Sequence, residues 1–164
     1  MNDDPGRRVR EALDALGHPF ELIECDPTLA DTEVFCAHYG VNPEDSANTI
    51  LVASKSGPEQ RFAACVLLST TKLDVNKVVR KRLGVRRISF ASAEQTQAMT
   101  GMIIGGVTPI GLPSSLPIWV DERVMQREAI VLGGGDRHTK LKLAPSLFGQ
   151  LDQAEVVDGL ALER

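Results

Sequence analysis

Thirteen residues past the middle of the chain, Gly101-Met102-Ile103-Ile104-Gly105-Gly106-Val107-Thr108-Pro109-Ile110-Gly111-Leu112-Pro113, carry no charge and combine glycines with prolines. Glycine lets a ligand approach backbone N–H groups closely, and proline holds a loop in one shape. Such N–H groups can receive an ester carbonyl oxygen as it gains negative charge during cleavage. By composition alone, a structural crossover loop is the simpler alternative. Other catalytic signatures are absent: there is no G-x-S-x-G, no G-x-x-x-x-G-K-[ST] and no G-x-G-x-x-G. Without C-x-x-C or H-E-x-x-H, no metal site and no cofactor are expected. Cys36 and His38, two positions apart on a predicted helix, point to different faces and read as core and surface. His18 and His138 flank turns, where a surface or capping role is the default.

Charge is concentrated in one segment. Lys72, Lys77, Arg80, Lys81, Arg82, Arg86 and Arg87 face a single acid, Asp74, within a chain whose net charge is −4. This cluster is either a solvated face or a phosphate-contacting patch on an otherwise acidic protein. A sequence pI of about 5.4 excludes a general nucleic-acid coat. Aromatic residues are only 4% of the chain, so platforms for stacking bases are poorly supplied.

The elements that must hold these residues follow from periodicity and caps. Arg7–Leu16 carries Val9, Ala12, Leu13 and Leu16 on one face, with Pro5 to start a helix and Gly17 to stop it. Pro19–Glu24 reads as a strand, and Asp31 or Thr32 caps a helix that runs to Tyr39. Residues 48–53 and 61–68 read as antiparallel partners across a turn at Lys55-Ser56-Gly57-Pro58. Asp74 caps a third helix closed by Gly84, and Arg87–Phe90 is a brief strand. Ser92 and Gln95 form a capping box for a fourth helix ending near Met99. Short strands follow at 118–121, 129–132 and 141–143, then a last helix at Pro145–Leu151. Strands and helices mix without regular βαβ spacing, which predicts an α+β fold in a single domain over residues 1–164, with no linker.

The 26 residues from Gln95 to Val120 are uncharged and long enough to span a bilayer. Their glycines and prolines would free backbone groups that lipid cannot satisfy, so a buried or pocket-lining segment is expected, with no membrane partner. Three widely spaced cysteines and a start without an apolar core suggest reduced thiols, no secretory signal and a cytoplasmic protein.

The Gly/Pro loop resembles the G-x-x-x-G-G-[VI]-[ST]-P-x-G signature of the YbaK family of aminoacyl-tRNA deacylases, which are related to the editing insertion domain of prolyl-tRNA synthetase. Asp31-Thr32, Asn48-Thr49-Ile50-Leu51-Val52, Leu73-Asp74-Val75-Asn76-Lys77-Val78 and Gly134-Gly135-Asp136-Arg137 fall in that family's order and spacing. The resemblance implies a mixed, mostly antiparallel sheet with flanking helices around a small pocket. It also implies hydrolysis, in trans and without a cofactor, of the ester joining a wrong small amino acid to its tRNA. Binding alone separates small side chains by only about 1–3 kcal/mol per methylene, which is why a second, hydrolytic pocket is useful.

By this resemblance Gly105, Gly106, Asn48 and Lys140 are the catalytic candidates. Thr32, Thr108, Pro109, Gly134, Gly135 and Arg137 are the substrate-binding ones. Lys72, Lys77, Arg80, Lys81 and Arg82 would meet tRNA phosphates; the tRNA 3′ end is the implied partner, with an aminoacyl-tRNA synthetase as a further one. One departure matters. Family members begin the strand at position 48 with a pocket lysine important for activity, and this chain has Asn48, which cannot supply a charge. Some relatives carry Asp where this chain has Lys140, so the cation is expected either to have crossed the pocket or to be lost. Lys140 on its own reads as an exposed strand residue. The rival functions are a binding module for tRNA or synthetase without hydrolysis, and a hydrolase of another small acyl ester.

Overall fold

The computed structural model describes residues 4–55 and 60–164, so most of the turn expected at Lys55-Ser56-Gly57-Pro58 lies outside the described residues. Helix starts and stops follow the expected side chains. In α1 (Pro5–Leu16) the Asp4 carboxylate accepts from the Arg7 N–H, and Gly17 takes the left-handed conformation that ends the helix. Helix α2 (Thr32–Tyr39) ends the same way at Gly40. Ser92 and Gln95 form the reciprocal capping box of α4 (Ala93–Thr100). Helix α3 departs from a regular α-helix: Val75–Val79 is π-helical before Arg80–Leu83 turns α-helical.

Among the described residues ten strands form the sheets: β1 (Glu21–Glu24), β2 (Ala47–Ser54), β3 (Phe62–Leu68), β4 (Thr71–Leu73), β5 (Ile88–Phe90), β6 (Ile118–Asp121), β7 (Ile130–Gly133), β8 (Thr139–Leu143), β9 (Ala154–Val157) and β10 (Ala161–Glu163). The central sheet has the order β5-β2-β3-β6-β9, antiparallel around β2 and parallel from β3 to β9. A second sheet, β1-β8-β7, and a ribbon, β10-β4, are antiparallel. The fold is thus α+β with a mixed, mostly antiparallel sheet.

Side-chain alternation gives the central sheet two buried faces. Leu51, Ala64, Val66, Ile118 and Val120 face the main core, which α1 completes with Val9 and Leu13 and the second sheet with Leu132 and Leu141. Val52, Ala63, Cys65, Leu67 and Trp119 face the other way and are covered by Val79 and Leu83 of α3. This two-sided burial is why β2 and β3 are nearly continuous apolar runs.

Strands β4, β9 and β10 and the short helix α5 (Glu122–Met125) went unread in the sequence, being three or four residues long. Tertiary bonds hold them. Asp121, fully buried, accepts from the Ala161 N–H at 3.1 Å, and Arg123 donates to the Ala161 carbonyl at 2.7 Å. The expected last helix is a 3-10 turn at Pro145–Gln150.

Candidate active site

Strand β5 pairs with β2 only at Val52–Ser54, so the preceding part of that edge of β2 is uncovered. Backbone groups alternate sides along an antiparallel strand. The Leu51 carbonyl accepts from the Ala91 N–H on this edge, which turns the N–H and C=O of Thr49 to the same side. A cavity of about 360 Å³ fills the gap. Its walls are the start of α2, Val131–Gly133 of β7, the loop at 104–107 and Lys140.

Lys140 is 6% exposed, which corrects its reading as an exposed strand residue. Its Nζ donates to the Gly105 carbonyl at 3.0 Å and stands 5.4 Å from the centre of the Phe35 ring. Burial holds its pKa below the ordinary lysine value of 10.5, only partly offset by nearby Cys25 and Asp31. An ammonium has three protons, so one bond to Gly105 leaves donors for a ligand.

Asn48 lines the same cavity, and its Oδ1 accepts from the Thr32 hydroxyl at 2.6 Å. The amide N–H groups remain as donors for a ligand. Thr32 and Asn48 also border a second cavity of about 570 Å³, which reaches Cys36 and Arg164. The hydroxyl–amide pair therefore stands between two cavities.

The loop at 104–107 is fastened by Arg137. This guanidinium donates to Asp31 Oδ1 and the Ile104 carbonyl at 3.1 Å each, and to the Pro27 carbonyl at 3.0 Å. Asp31, expected only as a cap, makes no side-chain capping bond and serves as the arginine's partner. Gly105 has φ +95°, and a Cβ there would lie 2.0 Å from Arg137 Nη1. The backbone conformation thus favours glycine, and a side chain there would displace the guanidinium.

Several expected site residues stand elsewhere. The Gly106 N–H is not free for a substrate, because it donates to the Ile103 carbonyl at 2.8 Å, and the Gly106 carbonyl accepts from Gly135 at 2.6 Å. Gly134 and Gly135 are buried behind the cavity, where Cβ atoms would strike the Thr139 and Pro5 backbones. They let two loops pack closely and do not line the site. Thr108 and Pro109 are buried too, away from the lining; the Thr108 hydroxyl has no partner among the described residues. His18, expected in a surface or capping role, is buried with Nδ1 2.7 Å from Gln150 Oε1, whereas Cys36 is buried and His38 exposed as expected.

Lys72, Lys77 and Lys81 are exposed, and Arg80 is half-buried with its Nε donating to the Asn76 carbonyl. Arg82 is less free, since it pairs with Glu155 and lies 5.2 Å from the centre of the Trp119 ring. Asn48 and Ile50 share the face of β2 that carries α3, so the cavity reaches the side of the sheet on which these cations lie.

Among the described residues, no helix is long and apolar enough to cross a membrane, and no group of His, Cys, Asp and Glu could hold a metal ion.

Comparison with known proteins agrees with this architecture. A protein of Enterococcus faecalis, provisionally named a Cys-tRNA(Pro)/Cys-tRNA(Cys) deacylase, is 28% identical over 109 residues, covering 66% of this chain and 63% of that protein. The crystal structure of a hypothetical protein superposes with a TM-score of 0.82 at 24% identity, over 94% of this chain and 99% of the other. That of a proposed trans-editing enzyme for prolyl tRNA synthetase superposes with a TM-score of 0.79 at 21% identity, over 96% and 98%. These two establish a shared fold. The profile of the aminoacyl-tRNA editing domain matches residues 26–149, most of the chain and all of the cavity walls, and the protein therefore belongs to the aminoacyl-tRNA editing domain family.

Proposed function

We propose that this protein is a trans-acting deacylase that hydrolyses the ester between a mischarged small amino acid and its tRNA. The observation that carries the reading is the buried Lys140 ammonium, held by the Gly105 carbonyl inside a small cavity. In this scheme the aminoacyl group enters the cavity, and water attacks the ester carbonyl carbon. The carbonyl oxygen becomes an oxyanion stabilised by Lys140, with the Asn48 amide as a second donor. The intermediate collapses by breaking the carbon–oxygen bond to the ribose, whose oxygen takes up a proton. Among the described residues Asp31 is the one carboxylate in the lining, and its Oδ1 already accepts from Arg137. The neighbouring ribose hydroxyl of the tRNA is the better group to orient the water.

Lys72, Lys77, Lys81 and Arg80 would meet the phosphates of the acceptor end. The working unit is the whole of residues 1–164, since α1 and β10 flank the matched segment yet pack into the same structure. Free buried thiols at Cys25, Cys36 and Cys65 suit a reducing compartment such as the cytoplasm.

The test is deacylation of a panel of aminoacyl-tRNAs by wild type, Lys140→Met and Asn48→Ala. Loss of one such donor lowers turnover about 10²–10³-fold, so Lys140→Met should be nearly inactive and Asn48→Ala milder. Full turnover by Lys140→Met refutes the relocated cation. Absence of wild-type turnover on every aminoacyl-tRNA favours the binding module, whose motivation is Asn48 in place of the family's lysine.

A further inference from the structure

Seven aromatic residues occur in the chain, and six are buried or half-buried; the exception is Phe90, 57% exposed. It stands at the end of β5, beside the uncovered edge of β2, and forms part of the cavity wall. Ile104, 49% exposed, lines the same cavity from the Arg137-fastened loop. Two large apolar side chains left in water at a pocket that handles a polar ester call for a flat apolar partner. Phe90 is also the register partner of Val52, which places its side chain on the face of the sheet that α3 covers. Exposed Arg86 and Arg87 lead directly into β5. At about 3.3 Å per residue, they precede Phe90 by some 10–13 Å along the strand direction. Cations followed by one exposed aromatic and then a pocket form the pattern that binds single-stranded nucleic acid, phosphates on the charges and a base on the ring.

Resting on the deacylase reading above, we propose that Phe90 and Ile104 clamp the terminal nucleobase of the tRNA, so that the attached aminoacyl ester falls into the cavity beside Lys140. The scarcity of aromatics, taken from composition as a case against base stacking, does not bear on this single exposed ring. Because a stacked base is read by its flat face, the clamp contributes affinity and positioning without selecting the amino acid.

Two measurements test it separately from the chemistry. A short RNA ending in 2-aminopurine is titrated with wild type, Phe90→Ala and Phe90→Trp. Stacking should quench the fluorophore with wild type and Phe90→Trp, and Phe90→Ala should bind about 5- to 150-fold more weakly without quenching. Separately, kcat/KM is compared for an aminoacyl-tRNA and for the ethyl ester of the same amino acid. Phe90→Ala should lower the first by a similar factor and the second far less. Equal losses on both substrates, or no quenching by wild type, overturn the clamp. Quenching by wild type but not by Phe90→Ala, with no turnover by wild type, leaves the clamp standing and removes the deacylase reading instead.

Discussion

Replacing Gly105 with alanine tests the arrangement that carries the Gly105 carbonyl to Lys140. At φ +95° an alanine occupies a sparsely populated backbone region, at a cost of roughly 1–3 kcal/mol. Its Cβ also falls 2.0 Å from Arg137 Nη1, so the guanidinium must leave. Leaving forfeits the bonds to Asp31 and to the Ile104 and Pro27 carbonyls. Charge-assisted bonds contribute about 1.5–3 kcal/mol; with the arginine side chain 28% exposed, about 1–2 is the better figure. Gly105→Ala should therefore destabilise by roughly 2–5 kcal/mol, lowering Tm by roughly 4–20 °C for a chain of this size. Urea unfolding of wild type, Gly105→Ala, Arg137→Ala and the double variant separates the two contributions. Arg137→Ala alone removes the latch, so the double variant should be less destabilised than the sum by about 1–2 kcal/mol. Additivity within about 0.5 kcal/mol would refute the reasoning, because the arginine would then not be what excludes a side chain at position 105.

Further outcomes follow from charge. Lys140 has a pKa below 10.5, so a reaction needing its ammonium should lose rate on an alkaline limb lying below 10.5 in a pH–kcat profile. Between its folded and unfolded pKa values the unfolded chain binds more protons, so stability should rise with pH there, and Lys140→Met should flatten that rise in urea titrations. Reversing Lys77 and Lys81 to glutamate should weaken tRNA binding and reduce the slope of log K against log salt by about 0.7–0.9 per lost contact. Neutralising Arg82 should change the slope less, since Glu155 and Trp119 already hold it. An unchanged slope in the Lys77/Lys81 variant would mark the cluster as a solvated face.

Local signals gave much of the frame. Gly17, Gly40, Gly84 and Gly101 end their helices in the left-handed conformation, and the Ser92 capping box is complete, because those choices are settled within a few residues. The site was legible only in part. Thr32, Asn48, Gly105 and Lys140 do meet at one cavity, brought together by the registers of β2, β7 and β8. Gly106, Gly134 and Gly135 look the same as Gly105 in sequence, but they are glycines because backbone packs against them. Nothing local separates those two reasons. Phe90 and the Asp31–Arg137 pair were also out of reach. An aromatic ending a short strand reads as core until one learns that its edge of the sheet is open, and Asp31 lies 106 residues from its arginine.

The hydrogen bond between Thr32 and Asn48 stands in the wall shared by two cavities. Both residues border the 360 Å³ and the 570 Å³ cavities, Asn48 from β2 and Thr32 from outside the strands. Thr32 sits in the first turn of α2, where alanine is well tolerated by a helix. On the proposed deacylase reading, Thr32→Ala should therefore widen the acyl chamber without rebuilding the fold. On that reading, the boundary of the acyl chamber on this side is two short side chains joined by one hydrogen bond.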